Sequence, residues 1–335
     1  MSVNVDLTTV WAFIIAFAVF AYVVMDGFDL GIGILFPALK VGEGRNRAMN
    51  SIAPVWDGNE TWLVMGGGGL LAAFPLAYAV ILPATYPLVI AMLLGLVFRG
   101  VAFEFRHRDE RHRPFWDFAF FAGSLTAALT QGMILGAILQ GIEVENRSYS
   151  GSWWDWLTPY TLLTGLGVVA GYALLGACWM IWKLEGDVQA KAYRLAFIAG
   201  IITLLLMAAV SAYNLLLLAE YRDRWLAMPN ILFTSQVPLL TLLIAGLLFY
   251  GLRKRWELAP FLLALALFLL GMAGLGVTIW PYVVPGALTI WDAAAPERSQ
   301  VFMLVGVVLI LPLILGYTGW SYWVFRGKVG AEGYH

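Results

Sequence analysis

The chain has 335 residues, 61% of them apolar and only 12% charged, with 15 Trp, 35 Gly and a net charge of −1. Soluble domains carry about 25% charged residues, so an ordinary cytosolic enzyme is excluded, and a nucleic-acid binder would need a basic face. The single cysteine, Cys178, leaves no disulfide and no Cys-x-x-Cys pair for zinc or an iron–sulfur cluster.

What remains is an all-α, polytopic membrane protein. A spanning helix takes about 20 mostly apolar residues. Such runs predict nine spans, at about 9–35, 54–74, 84–103, 118–139, 159–182, 195–218, 231–252, 258–280 and 301–325. They group as one integral-membrane domain over 1–335. Within it, 9–139 forms a first four-helix bundle, 159–280 a second, and 301–325 a peripheral ninth helix. Residues 1–8 lack the basic start of a cleavable signal, so the first span is expected to be retained.

The first span carries Met25-Asp26-Gly27-Phe28-Asp29-Leu30-Gly31-Ile32-Gly33. At 1.5 Å per residue, Asp26 lies about 25 Å from the start of the span, deep toward its far end. Asp26 and Asp29, three residues apart, share a helical face. The second span opens on that same side with Ala53-Pro54-Val55-Trp56-Asp57-Gly58-Asn59-Glu60-Thr61-Trp62, where Asp57 and Glu60 repeat the spacing.

Four carboxylates therefore converge at one end of one helical hairpin. Ionisable groups within spans are functional suspects, and carboxyls in a low-dielectric site can hold a proton near neutral pH. The cluster suits proton uptake. The plainer reading has Asp57 capping the second helix and Asp26 or Asp29 paired with a nearby arginine. Glycines 27, 31, 33 and 66–69 permit close helix approach. They form no phosphate loop, since no Lys-Ser/Thr follows.

The third span is followed by Arg99, Arg106, Arg108, Arg111 and Arg113. With Lys40, Arg45, Arg47, Lys183, Lys191, Arg194, Arg253, Lys254, Arg255, Arg326 and Lys328, sixteen of the 20 basic residues fall after odd-numbered spans. Arg147, Arg222, Arg224 and Arg298 occupy the other side. Because Lys and Arg stay on the cytoplasmic face, the N-terminus is expected outside and the C-terminus in the cytoplasm.

The three histidines, His107, His112 and His335, all lie outside the spans. An intramembrane heme ordinarily needs an axial histidine, so this chain is expected to bind no heme and no metal of its own. Glu143, Glu145, Asp155, Glu220, Asp223 and Glu297 read as solvated loop charges, and Asp292 in Ile290-Trp291-Asp292-Ala293 as part of a helix cap. Trp153, Trp154 and Trp156, and Trp320, Tyr322 and Trp323, read as interfacial aromatics.

These residues carry a resemblance. Asp26-Gly27-Phe28-Asp29-Leu30-Gly31 followed by Ser51-Ile52-Ala53-Pro54-Val55-Trp56-Asp57-Gly58-Asn59-Glu60-Thr61-Trp62 resembles subunit II of cytochrome bd-type quinol oxidases. Phe98-Arg99, Leu288-Thr289-Ile290-Trp291-Asp292-Ala293 and Tyr317-Thr318-Gly319-Trp320-Ser321-Tyr322-Trp323 are similar too, so the likeness runs from the first span to the last. The short chain looks like the cyanide-insensitive branch.

The resemblance implies a multi-pass subunit of a bacterial cytoplasmic-membrane respiratory oxidase that oxidises quinol and reduces dioxygen to water. It places two b-type hemes, heme d and the quinol site in a partner, subunit I. Subunit II pairs with it as a heterodimer, often with a small third single-helix subunit. A structural quinone in subunit II is also implied for some members, without a residue here that marks its pocket. By the same resemblance, Asp57 matches the entrance of a proposed proton channel and Trp62 a residue beside a proposed oxygen route; Glu60, Asp29 and Asp26 are read as groups supporting Asp57. No catalytic residue is expected in this chain. Two rivals stand against a proton-supplying subunit. One is a secondary transporter, expected to place charges near the midplane of matching halves. The other is a scaffold whose acids only hold subunit I.

Overall fold

The computed structural model of the chain describes residues 6–329; His335 lies outside them. Helix α1 (Leu7–Leu35) begins where the Asp6 carboxylate accepts from the Thr8 amide, and one 3-10 turn, Phe36–Ala38, extends it. A short surface helix, α2 (Glu43–Asn50), leads to α3 (Trp56–Ala73). Only Phe74 separates α3 from α4 (Pro75–Phe105). Pro75 suits this reversal, since a first-turn proline forfeits no helical hydrogen bond.

Helix α5 (Arg113–Leu139) is followed by a small hairpin, β1 (Val144–Glu145) and β2 (Ser148–Tyr149). Helix α6 (Pro159–Lys183) opens on a capping box between Thr158 and Thr161. Then come α7 (Gly186–Leu217), α8 (Ala219–Leu226), α9 (Ile231–Thr234), α10 (Gln236–Arg253) and α11 (Ala259–Ile279). A second hairpin, β3 (Tyr282–Val284) with β4 (Leu288–Thr289), runs into α12 (Ile290–Ala293) and the last long helix, α13 (Glu297–Val324). As expected, Asp292 serves a cap: its carboxylate accepts from the Thr289 amide, closing a capping box.

Each expected apolar run falls on helix. Among the described residues, eight helices are long and apolar enough to cross a membrane. The run at 54–74 is the exception. It is helical as α3, but Asp57, Asn59, Glu60 and glycines 66–69 make it too polar to qualify.

Helix α6 sits deepest, with every residue from 170 to 181 buried, against α1, α5 and α7. Small residues allow this. A Cβ on Gly31 would overlap the Tyr172 carbonyl, so the α1 and α6 backbones touch at Gly31 and Gly176, the close approach on which helix association in lipid depends. Phe28 stacks on Trp179 at 4.0 Å between centroids across the same seam. Nothing lies within 4 Å of a Cβ built on Gly67 or Gly68, so part of the α3 glycine run faces outward and the packing reading holds only for the others.

Helix α13 packs lightly on α1 and α3. Its end is tied back to α6: Lys183 Nζ donates to the Phe325 and Gly327 carbonyls, and the Val329 amide to the Lys183 carbonyl.

Candidate functional site

Asp26 and Asp29 lie on α1, which packs against α3, α5 and α6, and both are wholly buried. Between them and α3 stands Arg99. It was expected at the end of the third span, on the basic side, but α4 runs on to Phe105 and carries Arg99 inside the helix with 0% exposure. Its Nη1 donates to Asp26 Oδ1 at 2.7 Å and to Glu60 Oε1 at 3.0 Å, and its Nη2 lies 3.7 Å from Asp29 Oδ2. The guanidinium also sits over the Trp56 ring, 5.8 Å from its centroid. One arginine thus draws together three carboxyls from two helices. Glu60 alone among them reaches the surface, with 27% of its side chain exposed.

Uncharged side chains extend this centre in two directions. Asn59 Nδ2 donates to Asp29 Oδ2 at 2.8 Å, and Tyr322 of α13 donates to Asn59 Oδ1 at 2.9 Å. Toward the membrane interior, Tyr172 of α6 donates to Gln131 Oε1 at 2.8 Å, and Gln131 Nε2 donates to the Tyr22 oxygen at 2.7 Å. Tyr22 lies one turn from Asp26 on α1, on the same face. Asp26 Oδ2 and Asp29 Oδ1 have no hydrogen-bond partner although buried.

The structure brings together three of the four expected carboxylates. Asp57 stands apart, exposed in the first turn of α3, one turn from Glu60. It does not cap the helix: the cap position is Val55, with no side-chain bond. The expected pairing of Asp26 and Asp29 with an arginine does occur, through Arg99. Trp62 is 2% exposed, packed with Ala18, Ala21 and Tyr22 and set edge-on to Phe17.

Sequence reading missed Arg99 as a member, and with it Asn59, Gln131, Tyr22, Tyr172 and Tyr322. For Arg99 a signal exists: a lone arginine with apolar residues on both sides, from Gly95 to Phe103.

A second buried charge group lies nearer the helix ends. Asp117 of α5 accepts from Arg45 of α2 and from Arg106, just past α4, each at 2.5 Å. Arg106 also donates to Asn46 Oδ1 at 2.7 Å. Both guanidinium groups flank the Phe36 ring, at 5.4 and 5.3 Å from its centroid. Arg106, expected in the basic stretch after the third span, is fully buried.

Among the described residues no group of three or more His, Cys, Asp or Glu side chains could hold a metal ion. His107 and His112 lie between α4 and α5, outside every long helix, so the donors present do not fit a histidine-ligated heme within the membrane. Phe28, Trp179, Trp182, Phe261 and Tyr322 line an apolar groove of about 290 Å³ beside the charged centre.

The family model for cytochrome bd terminal oxidase subunit II matches residues 7–325. The chain is 30% identical over 370 residues to cytochrome bd-I ubiquinol oxidase subunit 2 of Escherichia coli K12, covering 97% of this chain and 96% of that one. It is 28% identical over 339 residues to cytochrome bd ubiquinol oxidase subunit 2 of Bacillus subtilis, covering 97% of each. The fold matches a chain of the bd oxidase from Geobacillus thermodenitrificans with a TM-score of 0.78 and 17% identity, covering 95% of this chain and 98% of that one. With the helical architecture in agreement, the chain belongs to the cytochrome bd terminal oxidase subunit II family.

Proposed function

We propose that this chain is the heme-free accessory subunit of a quinol oxidase in the bacterial cytoplasmic membrane, and that it supplies protons to the dioxygen-reducing site of its heme-bearing partner. The N-terminus faces outward and the basic side faces the cytoplasm, following the Lys and Arg distribution. The b-type hemes and heme d belong to subunit I, together with quinol oxidation. This chain contributes the low-dielectric wall and the proton entrance. The small third subunit, where present, would add a single helix.

The observation that carries the reading is the three-carboxyl, one-arginine centre. One guanidinium offsets one carboxylate, and an uncompensated buried charge is costly, so the surplus acids hold bound protons. The acids are graded by access: Asp57 exposed, Glu60 partly exposed, Asp26 and Asp29 sealed. A proton taken from the cytoplasm at Asp57 would pass to Glu60, one turn away, and then to the buried pair. The outward face of α3, with Asp57, Gly58, Thr61, Val64 and Gly68 exposed in a helical stripe, is small enough to seat a helix of subunit I directly over this entrance. Oxygen would enter beside Trp62, a reading supported by the small side chains of Ala18 and Ala21 packed there. A structural quinone would find flat apolar walls in the groove beside Phe28 and Tyr322.

The test is made on the purified two-subunit oxidase. Glu60→Gln and Asp57→Asn are expected to keep full heme content and slow turnover, Glu60→Gln by tenfold or more, the usual scale for a lost proton-transfer group. Full turnover in both variants would remove the proton role. A scaffold reading also has an observation behind it, since Arg99 and Tyr322 tie α1, α3, α4 and α13 together. It expects lost heme and lost complex instead of slow turnover.

A further inference from the structure

We propose that Tyr172, Gln131 and Tyr22 form a one-way chain of hydrogen-bond donors that fixes Asp26 as the permanent anionic partner of Arg99, leaving Asp29 and Glu60 to carry the exchangeable proton. The inference rests on the proton-supply reading and says which carboxyls do the work.

The direction follows from counting donors and acceptors. Tyr172 gives its hydroxyl hydrogen to Gln131 Oε1, and Gln131 Nε2 gives a hydrogen to the Tyr22 oxygen. Having accepted, Tyr22 still has its own hydrogen to place. The Asp26 carboxylate lies one turn away on the same face of α1, and its Oδ2 is a buried oxygen with no other donor. That pairing satisfies both groups. The opposite amide orientation would turn the Tyr22 hydrogen toward Gln131 and leave the Asp26 oxygen facing only acceptors.

The three buried acids then differ in kind. Asp26 receives the shortest of the Arg99 contacts, 2.7 Å on Oδ1, and its unpartnered Oδ2 is the acceptor left for the Tyr22 hydrogen. Hydrogen bonds to a charged acceptor are the strong ones, and donors that themselves accept are strengthened by the polarisation of the chain. Asp29 has only the neutral amide of Asn59 within hydrogen-bond distance, with Arg99 farther off at 3.7 Å. Glu60 shares a single guanidinium nitrogen with Asp26 and reaches the surface. The groups around Asp26 come from every packed element: Tyr22 and Asp29 from α1, Glu60 from α3, Arg99 from α4, Gln131 from α5, Tyr172 from α6 and Tyr322 from α13. Only Arg99 among them is positive, so Asp26 is the acid whose charge the donors single out.

A fixed anion has a purpose here. It holds the guanidinium in place while the proton arrives and leaves on the other two acids, so the centre returns to one geometry after each transfer. Tyr22 and Gln131 are positioning residues in this account, acting through Asp26.

The experiment uses the two-subunit oxidase with Tyr22→Phe, which keeps the ring and removes the donor. Without it Oδ2 of Asp26 loses the donor that favours its charged form. Infrared difference spectra then gain a carboxylic-acid C=O band, and that band is missing from the Tyr22→Phe/Asp26→Asn double variant. With Asp26 neutral, less negative charge surrounds Glu60 and Asp29, so they lose their proton at lower pH. The alkaline limb of turnover moves down by about one pH unit, the scale of one changed neighbour. Gln131→Leu shifts it the same way by less. Asp26→Asn alone reproduces the shift, and adding Tyr22→Phe to it changes nothing further.

A packing role would lower yield or turnover at all pH values without moving the limb. If Tyr22→Phe and Gln131→Leu leave both limb and infrared spectrum unaltered while Glu60→Gln still slows turnover, the donor chain is overturned and proton supply stands. If Glu60→Gln is also silent, both readings fall.

Discussion

Two buried charge groups lie along α4, one around Arg99 with α1 and α3, the other around Asp117 with α2 and α5, and they are built with opposite surpluses. Around Arg99 there are three carboxyls to one guanidinium; around Asp117 there are two guanidinium groups to one carboxylate. The difference decides what each can do. A carboxyl in a buried site can be neutralised by a proton, so an acid surplus is a proton store. An arginine keeps its proton at any ordinary pH, so a base surplus is a fixed charge. It must be placed near water or anionic lipid headgroups, and Arg45 accordingly keeps 15% exposure. On the proposed reading the first group exchanges a proton, while the second ties α2, α4 and α5 together.

The largest effect comes from removing the shared cation. Arg99→Leu leaves two wholly buried acids and Glu60 without a counter-charge. Losing one partner of a buried pair costs about 3–5 kcal/mol, a large part of a typical folding free energy. The subunit is expected to fail to accumulate, or to yield a complex with little heme, measured by the heme-to-protein ratio after purification. Normal heme content would mean that the acids are all protonated at rest and need no cation.

Asp117→Asn makes the matching cut in the second group. It strips the carboxylate from Arg106, which is buried, and from Arg45. The expected loss is about 2–3 kcal/mol, on the scale of charged hydrogen bonds, read as a fall in thermal midpoint of the complex. Turnover at a permissive temperature should keep its pH profile, since no proton is stored here. A moved alkaline limb in this variant would erase the distinction between the two groups.

How much of this was readable in sequence divides along the same line. Eight of the nine spans were legible because lipid demands a continuous apolar run; the run at 54–74 fell on helix too, but is too polar to qualify. The acids were legible because Asp26, Asp29, Asp57 and Glu60 interrupt such runs. Arg99 and Arg106 were not. They precede a basic loop, and hydropathy cannot say whether an arginine ends a helix or continues one for another turn. Asn59, Gln131, Tyr22, Tyr172 and Tyr322 carry no charge, and their roles depend on which helices become neighbours, which a periodicity along one chain does not encode. The α6 position against α1 was open in the same way. Gly31 and Gly176 announce a close approach, but not to each other.

The smallest effect belongs to a solvent-facing contact between the α10–α11 connection and the segment after α13. Glu257, between α10 and α11, accepts from Lys328 at 2.9 Å and from Gln189 at 3.0 Å, while Lys328 also donates to the Leu184 carbonyl at 3.2 Å. The Lys328 ammonium, and then the Gln189 amide, hold the Glu257 carboxyl below its ordinary range. A depressed carboxyl contributes stability above its unfolded-state pKa, about 4.3 for Glu, and loses it as pH falls through the lower folded value. Both side chains are well exposed, so the contribution is about 0.2–1 kcal/mol. Glu257→Gln is therefore expected to speed amide exchange at the Val329 N–H, which closes on the Lys183 carbonyl, at neutral pH, and to match the parent once the parent's Glu257 is protonated. A difference that persisted in acid would assign the tie to the backbone bonds of Lys183 and the packing of Gln189, with the ion pair idle. Heme content and the turnover profile should not move in either case, because this contact is separate from both buried charge groups and stores no proton that the reaction uses.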